Sequence, residues 1–77
     1  MVTVVSRQGC HLCEVAEQEV ARICADMDEP WETTDVDADP ETRAEYGDQV
    51  PVILIDGKEH GYWRVEEDRF RAALAAR

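Results

Sequence analysis

Hydrophobic positions along this chain follow two rhythms. Val2 to Ser6 is a short apolar run rich in β-branched residues, suited to a strand covered on both faces. Arg7-Gln8-Gly9 then forms a turn. From Leu12 the apolar positions Val15, Ala16, Val20, Ile23, Cys24 and Met27 recur at three- and four-residue steps. That spacing predicts a helix over residues 10–27 with one buried stripe, closed by Pro30. Trp31 to Val36 reads as a second strand, weakened by Asp35 but carrying Thr33 and Thr34. Asp39 and Pro40 supply the cap and first position of a short second helix that stops near Tyr46. Gly47 there is able to adopt positive φ.

Val50-Pro51-Val52-Ile53-Leu54-Ile55 is a strong strand signal, and Asp56-Gly57 after it is a preferred type I′ hairpin turn. The return strand covers Lys58 to Tyr62. A final helix places Glu66, Glu67 and Asp68 in its first turn, where acids complement the dipole, and Phe70, Ala73 and Leu74 on one face. The predicted order is β-α-β-α-β-β-α. A strand, crossover helix and strand make a right-handed parallel unit, and the hairpin adds antiparallel pairing. The fold class is therefore α/β, a four-stranded mixed sheet flanked by three helices, in one domain over residues 1–77.

Composition narrows the partners. A formal net charge of -10 disfavours nucleic acid and anionic membrane, whose phosphates are bound through Lys and Arg. Most of the excess acid lies between Asp26 and Asp48 and reads as a solvated face. Arg7 interrupts any leader-like apolar run, and no stretch is long enough to cross a bilayer, so a cytoplasmic location is expected. In a reducing compartment, three cysteines in 77 residues point to catalytic or metal-binding thiols rather than a disulfide framework.

Cys10-His11-Leu12-Cys13 stands between the first strand and the first helix. Helical spacing puts the two thiols about 5–6 Å apart at Cβ, slightly long for a relaxed disulfide. A bridge across two intervening residues removes little chain entropy, which makes it a poor staple and suits it to opening and closing. Cys10 is the candidate nucleophile, because unpaired N–H groups at a helix start favour a thiolate. Cys13, one turn further in, is the resolving thiol. Zinc is disfavoured: the motif supplies two of four ligands, and His11, Cys24 and His60 show no second paired spacing. Cys24 falls on the buried stripe as a small apolar residue. His60, on the return strand, reads as a surface residue, and Leu12 as an apolar rim shielding the cysteines or receiving a substrate.

With Cys-x-x-Cys after the first strand and Val50-Pro51 opening the third, the chain resembles the glutaredoxin branch of the thioredoxin-like family over nearly its whole length. It is most similar to a short bacterial group carrying Cys-His-Leu-Cys. The resemblance implies a thiol–disulfide oxidoreductase acting in cellular redox homeostasis through Cys10 and Cys13. Arg7 matches a basic residue that tunes the thiolate. His11 replaces the usual proline and reads equally as a tuning group or a solvated side chain. Val50 and Pro51 would form a substrate-binding edge through a cis peptide bond facing the cysteines. Trp63 and Arg64 would complete it, as an apolar wall and a partner for a carboxylate.

No tightly bound cofactor is implied. The expected partners are a disulfide-containing protein or small-thiol substrate, and a reductase or thiol as electron donor. Glutathione is expected to be a weak partner, because Gln49 replaces the usual Thr and three acids open the last helix. Two other classes fit the same residues: a thioredoxin-fold module whose acidic face binds a basic protein, and a metal or iron–sulfur protein using Cys10.

Overall fold

A computed structural model describes all of residues 1–77. The elements are β1 (Val2–Ser6), α1 (His11–Asp26), β2 (Trp31–Asp35), α2 (Pro40–Tyr46), β3 (Val52–Ile55), β4 (Lys58–Tyr62) and α3 (Glu67–Ala75). The strands form one sheet in the order β2-β1-β3-β4. β1 runs parallel to β2 and antiparallel to β3, and β3 pairs antiparallel with β4. This is the mixed sheet and element order that the hydrophobic pattern predicts.

Register decides where the chemistry sits. Val5 lies opposite Thr34 on one side and Val52 on the other, and Val52 lies opposite Tyr62. The ends of β1, β2 and β4 therefore meet the start of β3 at one end of the sheet. That end carries the Cys10 turn, the loop into α2, the Val50-Pro51 bond and Trp63. The opposite end carries Met1, the Asp56-Gly57 turn and the start of β2.

Each sheet face has its own core. Val2, Val4 and Ile53 pack with Ala16, Val20, Ile23 and Cys24 of α1 and with Phe70 and Leu74 of α3. Val5, Val36 and Val52 form a smaller cluster on the other face, with Tyr46 and Val50 against it. Phe70, fully buried, anchors α3, and its truncation to alanine is expected to cost about 3–5 kcal/mol.

Local rules explain most boundaries, and the exceptions have physical causes. Asp39 caps α2 by accepting the Glu41 N–H at 2.8 Å, an interaction contributing about 1 kcal/mol. Asp56 and Gly57 both have positive φ, +51° and +84°, as a type I′ turn requires. Gly47, in contrast, stays right-handed at φ -56°, and no positive φ is used there. Its constraint is space, since an added Cβ would stand 2.5 Å from the Arg43 carbonyl oxygen. Helix α1 stops at Asp26, before Pro30 acts, because Asp28 turns the chain at φ +56°. β2 ends at Asp35, with Val36 fully buried just beyond, and β3 starts only at Val52.

Two burial expectations are corrected. Val15 is 41% exposed. At about 3.6 residues per turn it lies roughly a third of a turn from the centre of the stripe formed by Cys13, Ala16, Val20, Ile23 and Cys24. His60 is half-buried rather than an open surface residue. Leu54 pairs with Glu59 and Ile53 with Gly61, so His60 is the extra residue of a bulge. Its ring packs against Phe70 at 5.7 Å between centroids, with Nε2 buried and unpartnered. Burial first, and then the charge of Arg69, push its pKa down.

Candidate active site

The site is assembled from the turn that joins β1 to α1. Gly9 takes φ +79°, which lets the Cys10 N–H fold back to the Arg7 carbonyl at 3.2 Å. Cys10 is then the N-cap of α1, in extended backbone geometry at φ -92°, ψ 111°. Its carbonyl accepts the Glu14 N–H, the first turn of the helix, at 3.1 Å. Its Sγ accepts the Cys13 N–H at 3.2 Å, standing where a serine oxygen would cap a helix. One of the helix's unpaired donors is thus aimed at this sulfur.

The two thiols of the motif differ sharply. Cys10 is partly exposed, while Cys13 is buried at 1% exposure. The Cys13 thiol is pushed up to about 11, by burial first and then by its hydrogen bond with Cys10; the nearby Glu17 charge adds to this and the Arg7 backbone opposes it. Cys24 is fully buried, and burial likewise pushes its thiol up. The motif thus holds one accessible sulfur with a buried thiol behind it.

Arg7 is close to the motif but its guanidinium is turned away to Asp37. It donates from Nε and Nη2 to the two Asp37 carboxylate oxygens at 2.9 and 3.1 Å, and from Nη1 to the Gly47 carbonyl at 3.2 Å. Asp37 is the main reason its pKa is raised, with Cys10 the least of the named contributors. The side chain therefore ties the Cys10 turn to both ends of α2. His11 opens α1 and is exposed.

The Val50–Pro51 bond is cis, and Pro51 is buried. The Pro51 carbonyl accepts the Trp63 N–H at 2.7 Å, which brings the residue after β4 beside the proline. Trp63 holds a left-handed φ of +73°, is 55% exposed, and meets Tyr62 edge to face at 5.0 Å between ring centroids. Leu12 at the head of α1 is 53% exposed. Arg64 is exposed and takes part in none of the molecule's ion pairs. Arg64 follows Trp63 directly and so starts from the same end of the sheet.

The acidic opening of α3 is weaker than the sequence suggests. Glu67 is turned onto Arg22 at 2.7 Å and Arg71 at 2.9 Å, and these partners hold its carboxyl down to about 2. Glu66 and Asp68 have no ion pair, and Glu66 caps the helix without a side-chain hydrogen bond. The three-acid repulsion expected from the sequence is thus reduced to two unpaired acids.

Sequence reasoning missed a polar cleft of about 240 Å³ between α1 and the β1–β2 edge. It is lined by Ser6, Glu14, Glu17, Thr33, Thr34 and Asp35 beside the Arg7-Gln8-Gly9 turn, with no hydrophobic residue. Parallel pairing of Ser6 with Asp35 and Val4 with Thr33 gathers these groups, and no spacing along the chain announces it. No group of three or more His, Cys, Asp and Glu side chains is placed to hold a metal ion, and no helix is long and apolar enough to cross a membrane.

Comparison with known proteins agrees with this architecture. A family model described as a glutaredoxin-like domain (DUF836) matches residues 1–75. An uncharacterized protein of Mycobacterium tuberculosis is 39% identical over 79 residues, covering 96% of this chain and 81% of the relative. The X-ray structure of structural-genomics target XcR50 from X. campestris superposes with a TM-score of 0.80 at 31% identity, covering 100% of this chain and 99% of that one. Fasciola hepatica thioredoxin, at 22% identity, superposes with a TM-score of 0.64 over 97% of this chain and 77% of its own. The fold is thioredoxin-like.

Proposed function

Because the chain belongs to the glutaredoxin-like domain family, we infer that it is a dithiol thiol–disulfide oxidoreductase. The observation that carries this reading is the asymmetry of the motif: a partly exposed Cys10 receiving a helix N–H at 3.2 Å, in front of a Cys13 at 1% exposure. In the forward reaction the Cys10 thiolate attacks one sulfur of a substrate disulfide, forming a Cys10–substrate disulfide and releasing the other substrate sulfur as a thiolate. Cys13 then gives up its proton and attacks the Cys10 sulfur, expelling the second substrate thiolate. The substrate gains two electrons, and the protein is left with a Cys10–Cys13 disulfide for an external thiol or reductase to reduce. Raising the Cys13 thiol keeps it protonated until Cys10 has reacted, so the two thiols do not compete for the same target.

Val50 and Pro51 supply the edge against which an extended substrate lies, with Trp63 as its apolar wall and Arg64 as the cation for a substrate carboxylate. Arg7 holds the turn in place through Asp37 and Gly47, and His11 is the exposed side chain next to Cys10 in the chain. Glutathione is the weaker electron donor in this scheme, since Gln49, Glu66 and Asp68 disfavour its carboxylate while Arg64 opposes them. A reducing cytosol is the compartment in which such a dithiol works.

Single-turnover reaction of the reduced protein with a chromogenic mixed disulfide tests the reading. Wild type releases the thiol and ends as the intramolecular disulfide, whereas Cys13→Ser stops at a stable adduct on Cys10. If Cys10→Ser reacted as fast as wild type, the cysteines would be incidental and a binding module would be the better description.

A further inference from the structure

The cleft between α1 and the β1–β2 edge has no part in the reaction just described, yet it begins at the turn that delivers Cys10. Its lining includes the carboxylates of Glu14, Glu17 and Asp35. All nine ion pairs of the molecule leave these three residues out. The Asp35 carboxylate accepts only the Asp37 N–H, at 2.9 Å. The one cation in the lining, Arg7, is held by Asp37 and Gly47. A second, independent observation comes from β1: Ser6 lines the same cleft, and its Oγ is buried without any hydrogen-bond partner. A buried hydroxyl left unsatisfied costs free energy that a donor entering the cleft would recover.

We propose that this cleft is a subsite for a cationic side chain, lysine or arginine, carried by the substrate protein close to the cysteine that Cys10 attacks. An ammonium or guanidinium group offers only donors, and the cleft offers unpaired carboxylates with a free serine oxygen. A neutral or anionic side chain would leave those acceptors desolvated and unmatched. The cleft includes Gly9, the residue before Cys10, and reaches along the first two turns of α1 through Glu14 and Glu17, so a residue bound there lies near the start of that helix. The preferred substrate is therefore a basic protein disulfide, which also complements the net charge of -10. This deepens the redox reading and rests on it for turnover, but not for binding.

Two matched peptides provide the test. Each carries one cysteine as a mixed disulfide with a chromogenic thiol, flanked by lysines in one and by glutamines in the other. With reduced wild type, the lysine peptide is expected to react roughly tenfold faster, by an amount that shrinks as salt rises. The double variant Glu14→Gln/Glu17→Gln should lose most of that preference. Glu41→Gln/Glu45→Gln, which removes the same charge from α2, should keep it. Equal rates for the two peptides, or equal loss in both double variants, would overturn the proposal by reducing it to overall charge. Binding is followed separately with a lysine peptide whose cysteine is replaced by serine. Shifts of the Ser6, Thr33 and Thr34 amide resonances are expected in wild type and not in Glu14→Gln/Glu17→Gln. If neither disulfide reacts but these shifts occur, the redox reading fails and the subsite stands; if the shifts are missing, the subsite fails whatever the turnover.

Discussion

The two ends of the sheet hold their charged groups differently. At the end away from the cysteines, the Met1 ammonium reaches Glu29 at 3.3 Å and also Asp56, while Arg77 grips Asp56 at 2.7 Å and pairs with Glu29. Four groups from both termini, the hairpin turn and the approach to β2 thus neutralise one another. At the other end, Glu14, Glu17, Glu66 and Arg64 have no ion-pair partner, Leu12 and Trp63 are more than half exposed, and Trp63 holds a left-handed backbone. A chain of 77 residues has little stability to spare. Exposed apolar side chains beside charged groups without partners distinguish the cysteine end from the one where the two termini are tied.

The largest expected effect breaks the reactive end alone. Cys10→Ser should reduce disulfide exchange to the uncatalysed background. Because serine is a better helix cap than cysteine, thermal unfolding should show a midpoint no lower than wild type. A clear loss of stability would mean that Cys10 is chiefly structural.

Trp63 sharpens the contrast between strain and use. A left-handed backbone costs a non-glycine residue about 1–2 kcal/mol, so Trp63→Gly should be more stable than Trp63→Ala by about that amount in denaturant unfolding. Both variants should reduce protein disulfides about fivefold more slowly, as loss of an exposed interface tryptophan implies. Undiminished rates would remove Trp63 from the substrate-binding edge.

Asp56→Asn tests whether the tied end is independent of the reactive one. The substitution keeps a side chain that tolerates the positive φ of the turn while weakening the pairs to Met1 and Arg77. The melting temperature should fall slightly, with no change in the rate of Cys10 alkylation. A change in that rate would show that the two ends are coupled through the sheet.

The smallest effect concerns pH. Glu67 has its carboxyl lowered from 4.5 to about 2 by Arg22 first and Arg71 second. A carboxyl depressed on folding contributes stability that is full above its unfolded value and lost as pH falls through the folded one. Wild type should therefore lose a small increment of stability between about pH 4.5 and pH 2, and Glu67→Gln should lack that increment at neutral pH and show less dependence on acid. Parallel curves for the two proteins would show that the Arg22 and Arg71 contacts contribute nothing.

What could be read from the chain was whatever obeys a local rule. The β-branched run of β1, the Asp39-Pro40 helix start, the Asp56-Gly57 turn and the buried positions of α1 each follow from a few adjacent residues. Cys10 and Cys13 were legible for the same reason, as a spacing at a strand–helix junction. Several of the misses are settled by contacts that the local pattern does not show. Arg7 looks free until β1 and α2 are brought together and Asp37, 30 residues away, takes its guanidinium. Glu67 looks like one of three repelling acids until Arg22, 45 residues away, arrives from α1. His60 looks exposed because alternation along a strand fails at a bulge. The Ser6–Glu17 cleft exists only once β2 lies beside β1 under the first turns of α1.

The central claim is that the motif contains one reactive sulfur and one withheld sulfur. Brief treatment of the fully reduced protein with iodoacetamide near pH 7, followed by peptide mapping in a mass spectrometer, tests it directly. Label should accumulate on Cys10 first, with Cys13 and Cys24 still unmodified when Cys10 is nearly complete. Labelling of Cys13 or Cys24 as fast as Cys10 would contradict it.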